Sequence, residues 1–171
     1  METWNAYRAR RNVREFSTTA IPSEVLDQIL EAGRRAPSAN NRQPWEFVVV
    51  TERAALQDLS KVWAGAGHVA RSAATIVIAT PVENGADTMS HAEFDLGQAT
   101  MAMALVAADH GIGSGHALAH DQEVLRSVIG LPPTHRGAYV LALGFPAAGP
   151  MHPIERLDRR PFDEVVHWHR W

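Results

Sequence analysis

Residues 36–45 are the most informative stretch of the chain and read Ala36-Pro37-Ser38-Ala39-Asn40-Asn41-Arg42-Gln43-Pro44-Trp45. Pro37 ends the helical segment before this loop, and the apolar run at residues 47–50 behind it is typical of a strand. Ser38, Asn41 and Gln43 offer donors and acceptors suited to a polar surface that carries no phosphate. A capped turn between helix and strand would use the same residue types, so the loop predicts either a turn or a binding surface.

Hydrophobic periodicity on either side of the loop predicts a chain that mixes helices with short strands. The expected helices are residues 4–10, 22–35 and 92–110. Two further helices are expected, one capped by Thr51 and running to residue 59, the other capped by Asp121 and ending near Gly130. The expected strands are residues 47–50, 75–80, 114–119 and 138–143. None of them alternates cleanly between apolar and polar residues, which predicts an inner sheet covered by helices on both faces.

The expected helix at residues 92–110 carries apolar side chains around most of its circumference. Such a helix either forms the core of one subunit or packs against its own copy across a two-fold axis, and its period does not decide between them. Gly111, Gly113 and Gly115 follow it. Their spacing departs from a dinucleotide fingerprint and they follow a helix instead of a strand, so they indicate a tight turn.

Composition places the chain among single-domain globular proteins. It has 171 residues, of which 46% are hydrophobic and 20% charged, so residues 1–171 are expected to form one domain. The lack of cysteine excludes disulfides, thiolate nucleophiles and iron–sulfur clusters, and redox chemistry would need a bound cofactor. Because no apolar run resembles a signal peptide or is long enough to span a bilayer, a cytoplasmic protein without a membrane partner is expected.

Charge is distributed unevenly along the chain. The net charge of -3 argues against binding to nucleic acid. The arginines near the two ends are Arg8, Arg10, Arg11, Arg14, Arg156, Arg159, Arg160 and Arg170. Guanidinium groups suit bidentate binding of phosphate, so the two ends either converge on one anion or only solubilise the surface. Arg10 and Arg14 would stand one turn apart if the first helix continued.

Histidine and tryptophan side chains supply two further expectations. Neither the pair His116 and His120 nor the run at residues 167–169 has a matching carboxylate or third ligand, so no metal site is predicted. Trp168 and Trp171 stand at the C-terminus, where solvated tails rarely keep tryptophan. They are expected to dock on another subunit, or alternatively on the surface of their own chain.

Three stretches carry a family pattern: residues 10–16 (RRNVREF), residues 36–45, and residues 159–164 (RRPFDE). Together they resemble the nitroreductase family of flavin enzymes, whose pattern is an Arg-Arg-Ser-x-Arg-x-Phe start, a Pro-Ser-x-x-Asn-x-Gln-Pro-Trp loop and a basic Arg-Pro-Leu-like C-terminal segment. The order and spacing match over nearly the whole chain, and the middle motif is the most specific. The resemblance implies an α+β, nitroreductase-like fold with a central mixed or antiparallel β-sheet flanked by helices. It also implies an intertwined homodimer in which an arm at about residues 150–171 wraps the partner.

The resemblance further implies one flavin mononucleotide (FMN) per subunit, held at the dimer interface. Carried over by position, the residues near its phosphate and ribityl chain would be Arg10, Arg11, Asn12, Arg159 and Arg160. Arg14 would face the pyrimidine edge, where a fixed cation offsets the negative charge that reduction places near N1 and O2. The ring would be lined from the partner chain by Pro37, Ser38, Ala39 and Asn41. Its N5 and O4 would be approached by backbone amides of His116, Ala117 and Leu118.

The chain departs from the family pattern at three points. Asn12 stands where the family usually has serine, which keeps hydrogen bonding but changes its reach. Leu118 stands where the family often has glycine. The chain is also shorter than the better-known members, which implies that a helical excursion over the flavin is reduced or absent and that the substrate pocket is more open.

The implied activity is that of an FMN-dependent NAD(P)H oxidoreductase. Hydride would pass from NADH or NADPH through flavin N5 to a small nitroaromatic or quinone-like acceptor, with ping-pong kinetics because both substrates use one site in turn. The cofactor carries this chemistry, and no Ser/His/Asp or paired-carboxylate arrangement with persuasive context is present. The alternatives are another redox reaction at the same site, such as metabolite dehydrogenation or reductive dehalogenation, and a flavin carrier or sensor without efficient turnover.

Overall fold

The computed structural model describes residues 2–82, 86–156 and 158–171, with the backbone alone at residues 86–91. Its helices are α1 (Thr3–Ala9), α2 (Ser23–Arg34), α3 (Arg53–Leu59), α4 (Ala86–Asp109), α5 (Gln122–Ile129) and α6 (Phe162–Val165). Its strands are β1 (Glu46–Val50), β2 (Ala74–Pro81), β3 (Gly113–Leu118) and β4 (His135–Gly144). Short 3₁₀ segments lie at Ala39–Asn41, Ser60–Val62 and Ala64–Arg71. Every helix and strand expected from periodicity is present, although α4 begins earlier than residue 92.

The strands form one sheet in the order β1-β2-β4-β3, with antiparallel pairing between each pair of neighbours. β1 and β3 are the two edges. Residues 74–80 of the central strand β2 are all buried, because helices cover both faces as its unbroken apolar run predicted. The fold is therefore the expected α+β arrangement, and its sheet is antiparallel throughout the described residues.

Apolar side chains pack against both faces of the sheet. One cluster lies under α3 and α5 and includes Leu56 and Leu125. The other lies under α2 and α4 and includes Ile29 and Met103. Because each large apolar side chain that is fully buried contributes about 1.5–3 kcal/mol, these two clusters hold the sheet between two helical layers.

Helix α4 is buried on one side and open on the other. Leu96, Ala99 and Met103 are fully buried, whereas Phe94 is 70% exposed and Met101 is partly exposed. The helix thus forms core on one face and leaves a second apolar face uncovered by its own subunit. None of the helices that the structure describes is long and apolar enough to cross a membrane.

The helix ends test the capping predictions. Asp121 caps α5 as predicted, since its carboxylate accepts from the backbone amides of Glu123 and Val124 at 3.0 and 3.1 Å. Gly130 ends that helix with a φ of 67°, in the left-handed region that glycine favours. The prediction that Thr51 caps α3 is wrong, because Glu52 occupies the N-cap position and makes no side-chain cap hydrogen bond.

The N-terminal segment leaves the helical conformation earlier than expected. α1 ends at Ala9, and Arg10 has an extended ψ of 127°. Arg10 and Arg14 are therefore not one helical turn apart, which corrects that expectation. The segment instead runs beside β3, where the Val13 amide donates to the Ser114 carbonyl at 2.8 Å. Pairing with a strand edge satisfies backbone groups that would otherwise need the helix, so tertiary contact ends α1 here.

The aromatic side chains at the C-terminus are exposed. Phe162, Trp168 and Trp171 are 69%, 73% and 99% exposed. The Trp171 ring stacks on His167, with 4.3 Å between the ring centroids. The surface of the same subunit does not cover the two tryptophans, so docking on another subunit stays the prediction for this arm.

Candidate functional site

Four arginine side chains converge on one cavity between α1 and the C-terminal segment, here called the arginine cavity. It has a volume of about 580 Å³ and is lined by Trp4, Tyr7, Arg8, Arg10, Ile154, Arg159, Arg160 and Val165. None of these lining residues is acidic, although Glu164 reaches Arg160 at 3.4 Å. Both ends of the chain supply positive charge to one place, which favours an anion site over a purely solubilising role.

Backbone contacts bring the two ends of the chain together. The Ile154 amide donates to the Arg8 carbonyl at 3.1 Å. Arg11 donates from Nε to the Ala9 carbonyl at 3.1 Å and from Nη2 to the His152 carbonyl. Arg11 therefore ties the C-terminal segment to α1, and this contact places Arg159 and Arg160 near Arg10.

Arg11, Asn12 and Arg14 line a different opening from Arg10. This second cavity has a volume of about 330 Å³ and is closed on its other side by residues 146 and 148–151. The structure thus brings Arg10, Arg159 and Arg160 into one cavity and places the other predicted residues of the N-terminal segment beside it. Sequence spacing alone did not separate these two sets.

His116 on β3 stands near both sets of arginines. It lines a third cavity of about 380 Å³, whose lining also includes Arg10, Ser114 and Tyr139. Burial lowers the pKa of His116 below its ordinary value of 6.5, and the positive charges of Arg10 and Arg14 lower it further. Among the described residues, no group of histidine, aspartate and glutamate side chains is placed to hold a metal ion. Because its pKa lies below 6.5, the His116 imidazole is neutral at pH 7, and the positive charge of the arginines around it favours a nearby anion.

The edge of β3 that faces away from β4, here called its free edge, is a second candidate binding element. Alternate residues of an antiparallel strand bond to the neighbouring strand, and the residues between them direct their amide and carbonyl groups outward. The Ser114 carbonyl accepts from the N-terminal segment at 2.8 Å on the outer side, and the Ala119 amide donates to β4 at 3.0 Å on the inner side. This alternation turns the amides of His116 and Leu118 to the free edge. Ala117 lies between them, faces β4, and buries its side chain in the core.

The loop before β1 is held in a strained conformation. Asn40, Asn41 and Gln43 have positive φ angles of 51°, 55° and 51°, a region that asparagine tolerates better than most residues. The backbone amide of Gln43 donates to the Ser38 hydroxyl oxygen at 2.9 Å. Clustered backbone strain persists only where the surrounding structure holds it and is typical of binding segments, which favours a binding surface over a plain turn.

Asp95 on α4 anchors this loop, a role that sequence reasoning missed. Asp95 is 3% exposed, and its carboxylate accepts from the Ala39 backbone amide at 3.0 Å. One turn further along, the Gln98 side chain donates to the Pro37 carbonyl at 3.3 Å. A buried carboxylate needs such donors because an unpaired charge in the interior is costly. The signal was in the sequence, since Asp95 is the only charged residue between positions 94 and 108.

The predicted site residues form two groups. The arginine group lies beside β3 and comprises Arg10, Arg11, Asn12, Arg14, His116, Ala117, Leu118, Arg159 and Arg160. The loop group lies before β1 and comprises Pro37, Ser38, Ala39 and Asn41. β1 and β3 are opposite edges of the sheet, and strands spaced about 4.8 Å apart separate these edges by about 14 Å.

Helix α4 also separates the two groups. Asp95 and Gln98 bond to the loop group, whereas Gly97, Thr100 and Met101 line the cavity that contains His116. At 3.6 residues per turn these two sets lie on different sides of the helix. Within one chain, the two groups thus lie on different sides of α4 and at opposite edges of the sheet.

Comparison with known proteins gives an independent line of evidence. The family model described as the nitroreductase family matches residues 7–66 and 56–145. An NADH dehydrogenase from Thermus thermophilus is 28% identical over an alignment of 195 positions, which covers 93% of this chain and 92% of that protein. The solved NADPH:FMN oxidoreductase from Vibrio harveyi, complexed with NAD+, has a TM-score of 0.85 at 21% identity, covering 99% of this chain and 77% of that one. An iodotyrosine deiodinase from Haliscomenobacter hydrossis is 54% identical over 43 residues, which cover 25% of this chain and 19% of that protein.

Proposed function

The chain belongs to the nitroreductase family, and from this premise we propose that it is a flavin-dependent oxidoreductase that uses FMN and NAD(P)H to reduce small conjugated acceptors. The observation that carries the proposal is the convergence of Arg10, Arg159 and Arg160 on one cavity near the free edge of β3. Fixed guanidinium groups suit a phosphate monoester. Outward amides suit the polar edge of a flat ring.

The residues present fit FMN. Its phosphate would be held by Arg10, Arg159 and Arg160, because the described lining of their cavity adds positive charge and no carboxylate. Arg11 and Asn12 would lie near the phosphate and the ribityl chain. Outward amides of the segment at residues 116–118 would donate to N5 and O4, with His116 and Leu118 the two that face the edge.

A partner subunit would complete the site with Pro37, Ser38, Ala39 and Asn41. Because one subunit keeps the loop group at the far edge of its sheet, we propose a homodimer in which each loop lies against the flavin bound by the other chain. Each chain would form a single domain of residues 1–171 whose arm, from about residue 150, crosses the partner. The exposed Phe162, Trp168 and Trp171 support this arrangement, since monomers rarely leave such side chains uncovered together.

Bound FMN supplies hydride transfer at N5 between NADH or NADPH and a nitroaromatic or quinone-like acceptor. The chain's own residues bind and orient. Arg14 would offset negative charge at the pyrimidine edge, while the strained loop would present a fixed polar surface to the ring. No side chain has to act as a strong acid or base. Both substrates would occupy the same face in turn, so initial-rate plots should show the parallel lines of ping-pong kinetics.

The match to an iodotyrosine deiodinase favours a second candidate, reductive dehalogenation at the same flavin site. It covers 43 residues of this chain, so the likeness reaches only part of what would surround a substrate. Turnover of nitrofurazone and of an iodinated phenol, each measured with NADH and with NADPH, separates the two functions. Nitrofurazone reduction without release of iodide would favour the first.

The proposal is tested by the visible spectrum of the purified protein, chromatographic identification of any released cofactor, and addition of NADH or NADPH under argon. We expect an FMN spectrum that bleaches rapidly. A colourless protein that also takes up no added FMN would contradict the proposal. A yellow protein that both nucleotides reduce very slowly would instead indicate a flavin carrier or sensor.

A further inference from the structure

His68 is buried directly behind the free edge of β3. It is 7% exposed and lies in the 3₁₀ segment Ala64–Arg71, whose apolar residues pack on the face of the sheet away from α4. The proposed chemistry does not use this side chain. Burying an imidazole is unfavourable unless its polar atoms are bonded, so its contacts indicate why it is there.

The His68 ring makes one directed contact with β3. Its Nε2 lies 3.1 Å from the carbonyl oxygen of Gly115. Because a carbonyl oxygen only accepts, Nε2 carries the proton and donates. Nδ1 is buried and has no hydrogen-bond partner among the described residues. The single bond to Gly115 therefore sets both the orientation and the tautomer of the ring.

The Gly115 carbonyl and the His116 amide belong to the same peptide group. In a planar trans peptide they point in opposite directions, and the alternation along β3 turns the His116 amide to the free edge. A donor on the carbonyl polarises the peptide group and strengthens its N–H as a donor, by about 10–30% per bond. His68 thus acts on the outward amide from the opposite side of the strand.

The packing around Gly115 leaves this peptide little room to rotate. A Cβ at this position would overlap the Val13 carbonyl oxygen and would lie 3.0 Å from Nε2 of His68. Glycine is therefore required for the ring and the N-terminal segment to approach the strand together. Both neighbours lie against the position that a Gly115 side chain would take, and this close contact restricts movement of the strand there.

We propose that His68 is a positioning residue that orients and strengthens the His116 amide as a donor to the bound flavin ring. The inference rests on the proposed function, since it requires a flavin at the free edge of β3. It adds to the site a residue that belongs to neither the arginine group nor the loop group.

The test compares two full-length variants. His68→Phe keeps an aromatic ring that cannot donate, and His68→Gln keeps a donor of similar reach. In ¹H–¹⁵N spectra of the flavin-free protein, the His116 amide proton should shift upfield in His68→Phe and stay near its original position in His68→Gln. His68→Phe loses the orientation of the His116 amide as well as its polarisation, so binding of FMN and of riboflavin should both weaken by about threefold to tenfold, the net contribution of one hydrogen bond. In His68→Gln the loss should be less than about twofold.

Arg160→Ala supplies the contrast, because it should weaken FMN binding and leave riboflavin binding nearly unchanged. An unmoved His116 amide in His68→Phe, or equal losses of flavin affinity in both His68 variants, would overturn the inference while the proposed function stands. Wild-type protein that binds no flavin overturns both. If His68→Phe does not fold, His68→Asn replaces it, since its amide is too short to reach Gly115 and the same losses are expected.

Discussion

The two groups of the candidate site are built in different ways. The arginine group collects charge from both ends of the chain in a cavity beside β3, using long side chains. The loop group is a backbone conformation with three positive φ angles and a buried carboxylate that anchors it. Exposed charges contribute separately and are screened by solvent, whereas a strained loop depends on each bond that holds it. Substitutions should therefore change ligand binding in the first group and local stability in the second.

The largest effect is expected at a residue outside both groups, where the N-terminal segment packs closely on β3. Gly115→Ala places a Cβ against the Val13 carbonyl oxygen, a backbone atom that cannot move aside alone. We expect the free energy of unfolding to fall by about 3 kcal/mol in urea denaturation. Gly67→Ala is the matched control, because nothing lies within 4 Å of a Cβ there. Equal stability of the two variants would show that the N-terminal segment is not packed on β3.

Removing one charge from the arginine cavity should reduce binding with little effect on folding. Arg10→Ala is expected to raise the Kd for FMN by about 30-fold to 100-fold, the loss typical of a charge-assisted phosphate contact. The Kd for riboflavin should change by less than about twofold. Fluorescence titrations measure both, with Arg71→Ala as control, because Arg71 is exposed and belongs to neither group. An equal loss for riboflavin would show that Arg10 does not contact the phosphate.

The loop group should respond in the opposite sense. Asp95→Ala leaves the Ala39 amide without its acceptor, so we expect a loss of about 2 kcal/mol in stability and faster hydrogen exchange at Ala39. Asp95→Asn keeps an acceptor oxygen and should lose less. If both variants exchanged Ala39 as slowly as the wild type, the loop would be held by its own strained backbone instead.

The pKa of His116 reports how far the positive field of the arginine group extends. Since burial and then Arg10 and Arg14 lower its pKa from 6.5, the unfolded chain binds more protons at this residue than the folded chain. Stability therefore rises with pH through the window just below 6.5, and this contribution is complete above 6.5. Arg14→Gln should move the pKa of His116 upward in an NMR titration, and Arg71→Gln should leave it in place. A downward shift in Arg14→Gln would exclude a charge effect from Arg14.

The smallest effect is expected from the carboxylate at the rim of the arginine cavity. Glu164 lies 3.4 Å from Arg160 in an exposed ion pair, and such pairs are weak. Glu164→Gln should remove the negative charge beside Arg160, whose Nη2 keeps its bond to the Glu164 backbone carbonyl at 3.1 Å, and tighten FMN binding by about twofold. Glu155→Gln removes the same charge elsewhere in the C-terminal segment and serves as control. Weaker binding in Glu164→Gln would mean that this carboxylate orders Arg160 for the ligand.

By itself the sequence predicted the fold class and, through the family motifs, the candidate residues that the structure distributes between the two groups. Apolar runs marked β1, β2 and β4, and Asp121 marked the start of α5, because periodicity and capping depend on residues that are near in sequence. The family motifs supplied Arg10, Ser38, Asn41 and Arg160. α1 ends within one residue of its predicted end, and the condition under which Arg10 and Arg14 would share a helical turn is not met, because the chain there pairs with β3.

Only the tertiary structure decided which of these residues lie in the same cavity or at the same edge of the sheet. It put Arg10 with Arg160, left Arg14 in a neighbouring cavity, and set the loop group at the opposite edge of the sheet. It also joined Asp95 to Ala39 and His68 to Gly115. Such contacts link segments that are far apart in sequence, and they form because burying the apolar faces of the sheet brings those segments together. No local pattern encodes that proximity.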